Sequence, residues 1–377
     1  MIRNKINILF VLIQVNQGGT ERVVIDLIRS LNPSKYNSYL AYFEEGELTC
    51  EFNKICNKTY HIPKRRGIDL STMLGLSQII KKHDIDVVNA HHYMPYFYSF
   101  IGSKIFNKRK LIYVEHSVHE VKAILTSHHR RIFRELLRHT DTVVGISNEI
   151  GATFHNSYPK YKDKFQVIIN GVDVDRFNVC IDRDKLRSHW GISPNHFVVG
   201  TVANFRKVKN HVCLIRAIRR VNESNPNIRI MLVGQAFPGD QESSERELVD
   251  LINDCGLEEK VIMAGYQNNI EEILKAFDVF CLPSLSEGLP VCVLEAMAAK
   301  VPVVGSNVQG INEVVFHENT GILFTSNDDT ELAYAIERLF KDNTLRSKIA
   351  INAFNHVKKE HGLKEWVLKY EKLFGAL

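Results

Sequence analysis

No stretch of this sequence stays apolar for long. The run from Ile6 to Ile13 is interrupted by Asn7 and followed by Gln14, far short of the roughly 20 apolar residues that a membrane-spanning helix needs. No transmembrane segment is therefore expected. Met1 to Ile6 leads straight into a strand-like segment with no small-residue cleavage site behind it, so a secretory leader is not expected either. Cysteine is sparse and badly spaced for pairing. The seven (50, 56, 180, 213, 255, 281, 292) are odd in number and contain no C-x-x-C pair, which excludes a disulfide framework and a zinc site and leaves reduced residues of a cytoplasmic protein. The first strand-to-helix turn lacks G-x-G-x-x-G, so stable NAD binding is not indicated. Internal repeats and low-complexity segments are also missing.

What is present is ordinary globular material. The 377 residues are 45% hydrophobic and 24% charged, enough for two domains of usual size. The net charge of +5 hides an asymmetry, because residues 1–172 sum to +9 and residues 173–377 to −4. A basic first half suits an anionic substrate or an anionic membrane surface. Nucleic acid is not favoured, since no nucleic-acid motif and no aromatic-basic interleaving accompanies the charge.

The most informative stretch is 279–298. Val279-Phe280-Cys281-Leu282 reads as a buried strand, Pro283 to Gly288 as a turn, and Pro290 opens apolar positions at 291, 294 and 298 with helical spacing. A strand, a loop and a helix start present unpaired backbone N–H groups and the positive end of the helix dipole, and Gly288 lets a ligand approach the backbone near Leu289. An anion such as a diphosphate suits that place. Glu287 and Glu295 bracket it, and carboxylates pair with hydroxyls rather than phosphates. A phosphate nest flanked by hydroxyl acceptors describes a nucleotide sugar better than a bare nucleotide.

The rest of the chain alternates strand and helix. Ile6–Ile13 is followed by Gln17-Gly18-Gly19-Thr20-Glu21-Arg22 and a helical pattern that ends at Asn32-Pro33, the opening of a doubly wound domain whose ligand crevice lies at the carboxyl ends of its strands. Asp86–Ala90 leads into His91-His92, and Lys110–Glu115 into His116; histidines at strand ends point into such a crevice. His116 is a site candidate, and His91 and His92 are equally open to a structural reading. A helix is expected near 70–82. Between Val121 and His139 one basic amphipathic helix is expected, with Arg130, Arg134 and Arg138 on one face, and with Lys64-Arg65-Arg66 and Lys108-Arg109-Lys110 it suits anionic lipid. After Asn170-Gly171-Val172-Asp173, the polar stretch 178–195 reads as a hinge. Asp173 and Asp175 mimic a D-x-D metal motif, which is rejected because Asp after an Asn-Gly turn serves caps and turns. The second domain opens with Phe197–Val202, a loop holding Arg206, Lys207 and Lys209, and a helix. Strands at 228–233 and 261–265 follow, with a polar-faced helix from Gln241 to Cys255 between them. Val301–Ser306 continues the alternation. The stripe 363, 366, 367, 370 and 373 or 374 makes a last helix.

These motifs, in this order, resemble the GT4-type (glycosyl transferases group 1) retaining glycosyltransferases: G-G-x-E, a histidine at a strand end, N-G-V-D-x-x-x-F, a basic phosphate loop and E-G-L-P-x-x-x-x-E. The resemblance spans nearly the whole chain. It implies a GT-B fold, α/β, with two Rossmann-like doubly wound parallel-sheet domains facing a central cleft and a C-terminal helix returning to the N-terminal domain. Expected boundaries are 1–175 plus 360–377 for the acceptor-side domain and 176–359 for the donor-binding domain. It implies Gly18 and Gly19 over the donor phosphates, Arg206 and Lys209 on the diphosphate, Tyr266 beside the base, Gly288 and Leu289 at the phosphates, Glu295 on ribose hydroxyls, and Glu287 with His116 on the transferred sugar. Glu21 and His91 fall on the acceptor side. One departure stands out: Asn204 occupies the family's arginine position, and Arg206 is displaced by two residues.

The reaction so implied moves a sugar from a nucleotide-diphosphate sugar, UDP-linked in preference to GDP-linked, to a saccharide hydroxyl with retention of configuration. No cofactor and no metal is expected. The preferred acceptor is a lipid-linked saccharide of bacterial surface polysaccharide, met from the cytoplasm or at the inner face of the cytoplasmic membrane. Three other readings stand beside it: transfer to a small soluble acceptor, a nucleotide-sugar 2-epimerase of the same architecture, and a non-catalytic sugar-nucleotide-binding protein.

Overall fold

The structure, a computed structural model, describes residues 5–126, 129–236 and 243–375. It divides into two compact units, residues 1–170 with 363–377, and residues 171–362. The divisions fall a few residues from the expected 175/176 and 359/360. Val172 pairs with Gly362 in a short parallel bridge, which gathers both crossing segments to the second unit.

In the first unit the strands are β1 (Ile6–Gln14), β2 (Tyr36–Glu44), β3 (Lys58–His61), β4 (Val87–His91), β5 (Lys110–Glu115), β6 (Thr142–Gly145) and β7 (Phe165–Val167). They form one parallel sheet in the order β3-β2-β1-β4-β5-β6-β7. The second unit holds β8 (Phe197–Val202), β9 (Ile228–Val233), β10 (Val261–Gly265), β11 (Val279–Leu282), β12 (Val303–Ser306) and β13 (Ile322–Phe324). Their order is β10-β9-β8-β11-β12-β13, again all parallel. Helices cover both faces of such sheets, so the strands read as near-continuous apolar runs. In β1, Ile8 to Val11 are wholly buried on both faces.

Both orders reverse once, between β1 and β4 and between β8 and β11. Ligands of open parallel sheets bind outside the carboxyl ends of the strands at that reversal, where the two following loops diverge and leave a crevice. The loops that leave β1, β4, β8 and β11 carry Gly18-Gly19, His91-His92, Arg206 with Lys209, and Glu287. Topology thus gathers residues far apart in sequence into one crevice in each unit.

Three expectations change. The basic segment 121–139 is two helices, Val118–Thr126 and His129–His139, and residues 127 and 128 between them lie outside the described residues. The expected hinge 178–195 is part of the second unit. It holds a helix, Arg183–His189, whose Arg187 donates to the Ala276 carbonyl and to Asp278 at 2.7 Å; polar composition here marks a strap anchored by guanidinium groups rather than a free linker. The helix expected from Gln241 to Cys255 spans Glu245–Asp254, and residues 241 and 242 lie outside the described residues. Asp173 caps the turn Val174–Phe177, accepting the Arg176 N–H at 3.1 Å, so its carboxylate has a structural partner.

The last helix, Leu363–Gly375, belongs to the first unit. Its stripe of Trp366, Val367, Tyr370, Leu373 and Phe374 is buried, with Phe374 edge-on to Phe10 of β1.

Candidate active site

In the second unit the crevice is built from two loops and a helix start. The loop after β8 ends in a short turn, Lys207–Lys209, and the chain then turns through Asn210 in the left-handed region into helix His211–Ser224. The Lys209 ammonium donates to both oxygens of Glu287, at 2.7 and 2.9 Å. Burial penalises the charge on Lys209, but the facing Glu287 carboxylate outweighs it and holds the ammonium above its ordinary value. Arg206 is near enough for its charge to oppose Lys209, so two cations stand at this end of the crevice. Asn204, at the place expected for arginine, is half-buried.

Glu287 is fixed from three sides. The Ser284 hydroxyl donates to it at 2.6 Å, and the Leu285 N–H donates to the Val208 carbonyl at 2.8 Å, which ties its loop to the basic loop. Behind the loop sits Gly310 at φ +86°; a Cβ there would lie 2.8 Å from the Gly288 carbonyl and 2.9 Å from that of Glu287. Leu289 is buried and Pro290 caps helix Val291–Ala298. Glu295 projects half-buried from that helix. Its charge and that of Glu287 both bear on Cys292, whose thiol burial pushes up to about 12. Lys209, Glu287, Glu295 and Cys292 therefore share one electrostatic environment. Tyr266 follows β10, just past Gly265 at φ +64°.

In the first unit the crevice is lined by histidines. His91 Nδ1 and His116 Nε2 lie 2.8 Å apart, and both rings are kept neutral. Burial depresses His91 to about 3 and His116 well below its ordinary value, and charged His92 adds to both effects. His92 behaves oppositely. Although burial opposes its charge, Glu115 and Glu120 hold it protonated, pushed up to about 10. Its Nδ1 lies 2.8 Å from Glu120 Oε2 and 3.4 Å from Glu115 Oε1, and its Nε2 lies 3.0 Å from the Thr20 hydroxyl. His92 also adopts φ +70°, a conformation that costs a non-glycine residue about 1–3 kcal/mol. Gly18 precedes helix Gly19–Ser30, and a Cβ on it would lie 2.2 Å from Glu21 Oε2. Glu21 is buried, and burial raises its carboxyl to about 7.

The sequence reading therefore placed Lys209, Glu287 and Glu295 in one crevice and Gly18, Gly19, Glu21, His91 and His116 in the other. It missed His92 as an organising group, along with Glu115, Glu120, Thr20 and Ser284. Glu115 carried a signal, a carboxylate closing the apolar strand Leu111–Val114. Glu120 carried none, because one exposed-looking acid on a helix is commonplace. Among the described residues, His92, Glu115 and Glu120 place one ligand atom each within 4.8 Å of one another, a set able to hold a metal ion. Their donors are largely committed: Glu115 accepts the His116 and Ser117 N–H groups, and Glu120 accepts that of Tyr93.

Two all-parallel sheets whose strand orders each reverse once, with helices between the strands, define the class of GT-B glycosyltransferases. Comparison with known proteins places the chain within it. The family described as Glycosyltransferase Family 4 matches residues 17–176, and the family described as Glycosyl transferases group 1 matches residues 182–356. The protein belongs to the GT4-type glycosyltransferases. The chain is similar to a UDP-Gal:alpha-D-GlcNAc-diphosphoundecaprenol alpha-1,3-galactosyltransferase of Escherichia coli, 27% identical over 96% of both chains. It is also similar to an N-acetyl-alpha-D-glucosaminyl L-malate synthase of Bacillus anthracis, 24% identical over 86% of this chain and 83% of that one. Its fold matches the crystal structure of Anabaena HepE in complex with UDP and glucose, with a TM-score of 0.85 and 24% identity over 98% of this chain and 99% of that one.

Proposed function

We propose that the protein transfers a sugar, with retention, from a UDP-sugar to a hydroxyl of a lipid-linked saccharide during bacterial surface-polysaccharide assembly. The observation that carries this reading is the Lys209–Glu287 pair at the strand-order reversal of the second sheet, beside the start of helix Val291–Ala298 and Glu295. The activity for which the Escherichia coli relative is named supports the donor and the acceptor class, and the UDP complex of HepE supports the nucleotide.

When the glycosidic bond to the diphosphate breaks, its electron pair stays with the phosphate oxygen. Lys209, Arg206 and the N–H groups near Gly288 and Leu289 stabilise that growing charge, a form of catalysis that acts where charge develops and not on the resting substrate. This takes the place of a metal. Glu295 accepts from ribose hydroxyls, Glu287 and His116 hold the sugar, and Tyr266 borders the base. The acceptor oxygen attacks the anomeric carbon on the face the diphosphate leaves, and its proton passes to the departing phosphate. Gly18-Gly19 closes on the phosphates, with Glu21 and His91 toward the acceptor. Neutral His116 accepts or donates a hydrogen bond without placing a positive charge beside an oxocarbenium-like centre.

A screen of UDP- and GDP-sugars for nucleotide release, with and without a lipid-diphosphate saccharide, tests this. Acceptor-dependent UDP release that persists in EDTA is the expected outcome. Isomerisation of donor alone points to an epimerase, strict metal dependence to a metal at His92, Glu115 and Glu120, and donor binding without release to a non-catalytic protein. The Bacillus anthracis relative, named for a malate product, favours one second reading, transfer to a small soluble acceptor.

A further inference from the structure

Helix His129–His139 looks like the membrane-facing element when only its sequence is considered, but most of its apolar side is already buried. Phe133 and Leu137 are wholly buried and Leu136 nearly so. Of its apolar residues only Ile132 reaches water, at 38% exposure, so its arginines flank a single aliphatic side chain.

The opposite holds for the loop that leaves β3 and for the first turns of helix Leu70–Lys82. There Ile68 is 72% exposed, Leu70 67% and Leu74 51%. Leu70 and Leu74, four apart, share one outer face of the helix, and Ile68 stands in the loop before it. Arg65 and Arg66 are exposed beside them. Among the described residues neither guanidinium makes an ion pair. The one acid between residues 62 and 82 is Asp69, and its carboxylate is turned inward: it accepts the Arg65 N–H and the Ser71 N–H, both at 2.9 Å. The loop is held in shape. Tyr98 accepts from the Asp69 N–H and donates to the Gly67 carbonyl at 2.9 Å, Lys64 donates to the carbonyls of Arg65 and Gly67, and Gly67 takes φ +78°. A rigid loop that keeps large aliphatic side chains in water, between arginines and without a compensating acid, matches the chemistry of an anionic bilayer interface.

We propose that residues 65–74 dock this protein on an anionic lipid surface, with Ile68, Leu70 and Leu74 entering the interface and Arg65 and Arg66 meeting lipid phosphates. The loop follows the carboxyl end of β3, the same sheet end at which His91 and His116 lie. β3 is three strands from β4, about 14 Å at the usual strand spacing. A docked loop thus brings the acceptor end of the first unit to the bilayer. The purpose of this surface rests on the lipid-linked acceptor read above; its evidence does not.

The test is cosedimentation of the whole protein, without substrate, with vesicles of phosphatidylglycerol and phosphatidylcholine or of phosphatidylcholine alone. Binding to the anionic vesicles that weakens with salt, and falls about tenfold or more in both Arg65→Glu/Arg66→Glu and Ile68→Ser/Leu70→Ser, is expected. Arg130→Glu/Arg134→Glu should bind as the wild type does. All replaced side chains are exposed, so unchanged thermal unfolding accompanies the loss. The idea is overturned if the wild type ignores anionic vesicles, if the loop variants bind normally, or if the Arg130 and Arg134 variant alone loses binding. Loss confined to the arginine pair overturns it too, because bare charge attraction needs no apolar tip. Nucleotide release with a soluble acceptor is measured in parallel: vesicle binding without release supports the surface while sinking the enzymatic reading, and release without vesicle binding does the reverse.

Discussion

Lys209 and Glu287 hold each other where little water reaches, so each is both a functional and a structural group. Removing one partner of a buried pair strands the other charge and costs about 3–5 kcal/mol. Lys209→Met should therefore lower stability by about that amount and turnover by about a hundred- to a thousandfold. Lys209→Met/Glu287→Gln should recover most of the stability and none of the turnover. Thermal midpoints and nucleotide release measured on the two variants separate these roles, and recovered turnover in the double variant would refute the catalytic one. His92 makes a second case. Its folded value is raised from 6.5 to about 10 by Glu115 and Glu120 against the cost of burial, so its contribution is complete below pH of about 6.5 and fades as pH rises toward 10. His92→Asn, a residue that tolerates positive φ, should be less stable than wild type by a gap that is widest at or below pH 6.5 and closes toward pH 10. Urea midpoints across that range check it, and a gap independent of pH would contradict it.

At the scale of elements, the loop Ser284–Pro290 depends on a residue that is not in it. Gly310 at φ +86° lies against the carbonyls of Glu287 and Gly288, so Gly310→Ala combines a strained backbone with a contact no Cβ tolerates. A loss of about 1–3 kcal/mol is expected, with a raised KM for the nucleotide sugar because Glu287 is displaced. Wild-type KM in a folded Gly310→Ala protein would show that the loop is held by its own residues. What was legible in the sequence follows the same division. Period and punctuation marked the buried strands, helix Leu70–Lys82 and the junction at 279–298, since local spacing determines them. The reach of Gly310 to Glu287 and of Glu120 to His92 was not legible, because tertiary packing alone brings such residues together. Amphipathic spacing in 129–139 marked the buried side of that helix, and the lipid reading of the segment rests on its exposed arginines instead. Polar composition at 178–195 was read as a hinge, whereas Arg183 and Arg187 bind its helix to the carbonyls and carboxylate near Asp278.

On the scale of the whole molecule, the chain crosses from the first unit to the second and comes back, and its last helix completes a core begun by its first strand. Phe374 is wholly buried, edge-on to Phe10 and Tyr36, and Lys110 donates to the Leu373 carbonyl at 2.7 Å. Truncating such an aromatic leaves a cavity that costs about 3–5 kcal/mol. Most of the residues read as gripping the nucleotide, Arg206, Lys209 and Glu295 among them, lie in the other unit, which has its own sheet and core. Phe374→Ala should therefore lower the melting transition of the first unit while leaving UDP affinity, measured by calorimetry below that transition, within about twofold of wild type, as sites without shared partners behave. A large loss of UDP affinity in this variant would show that Gly18-Gly19 of the first unit, and not Lys209, carries most of the hold on the phosphates.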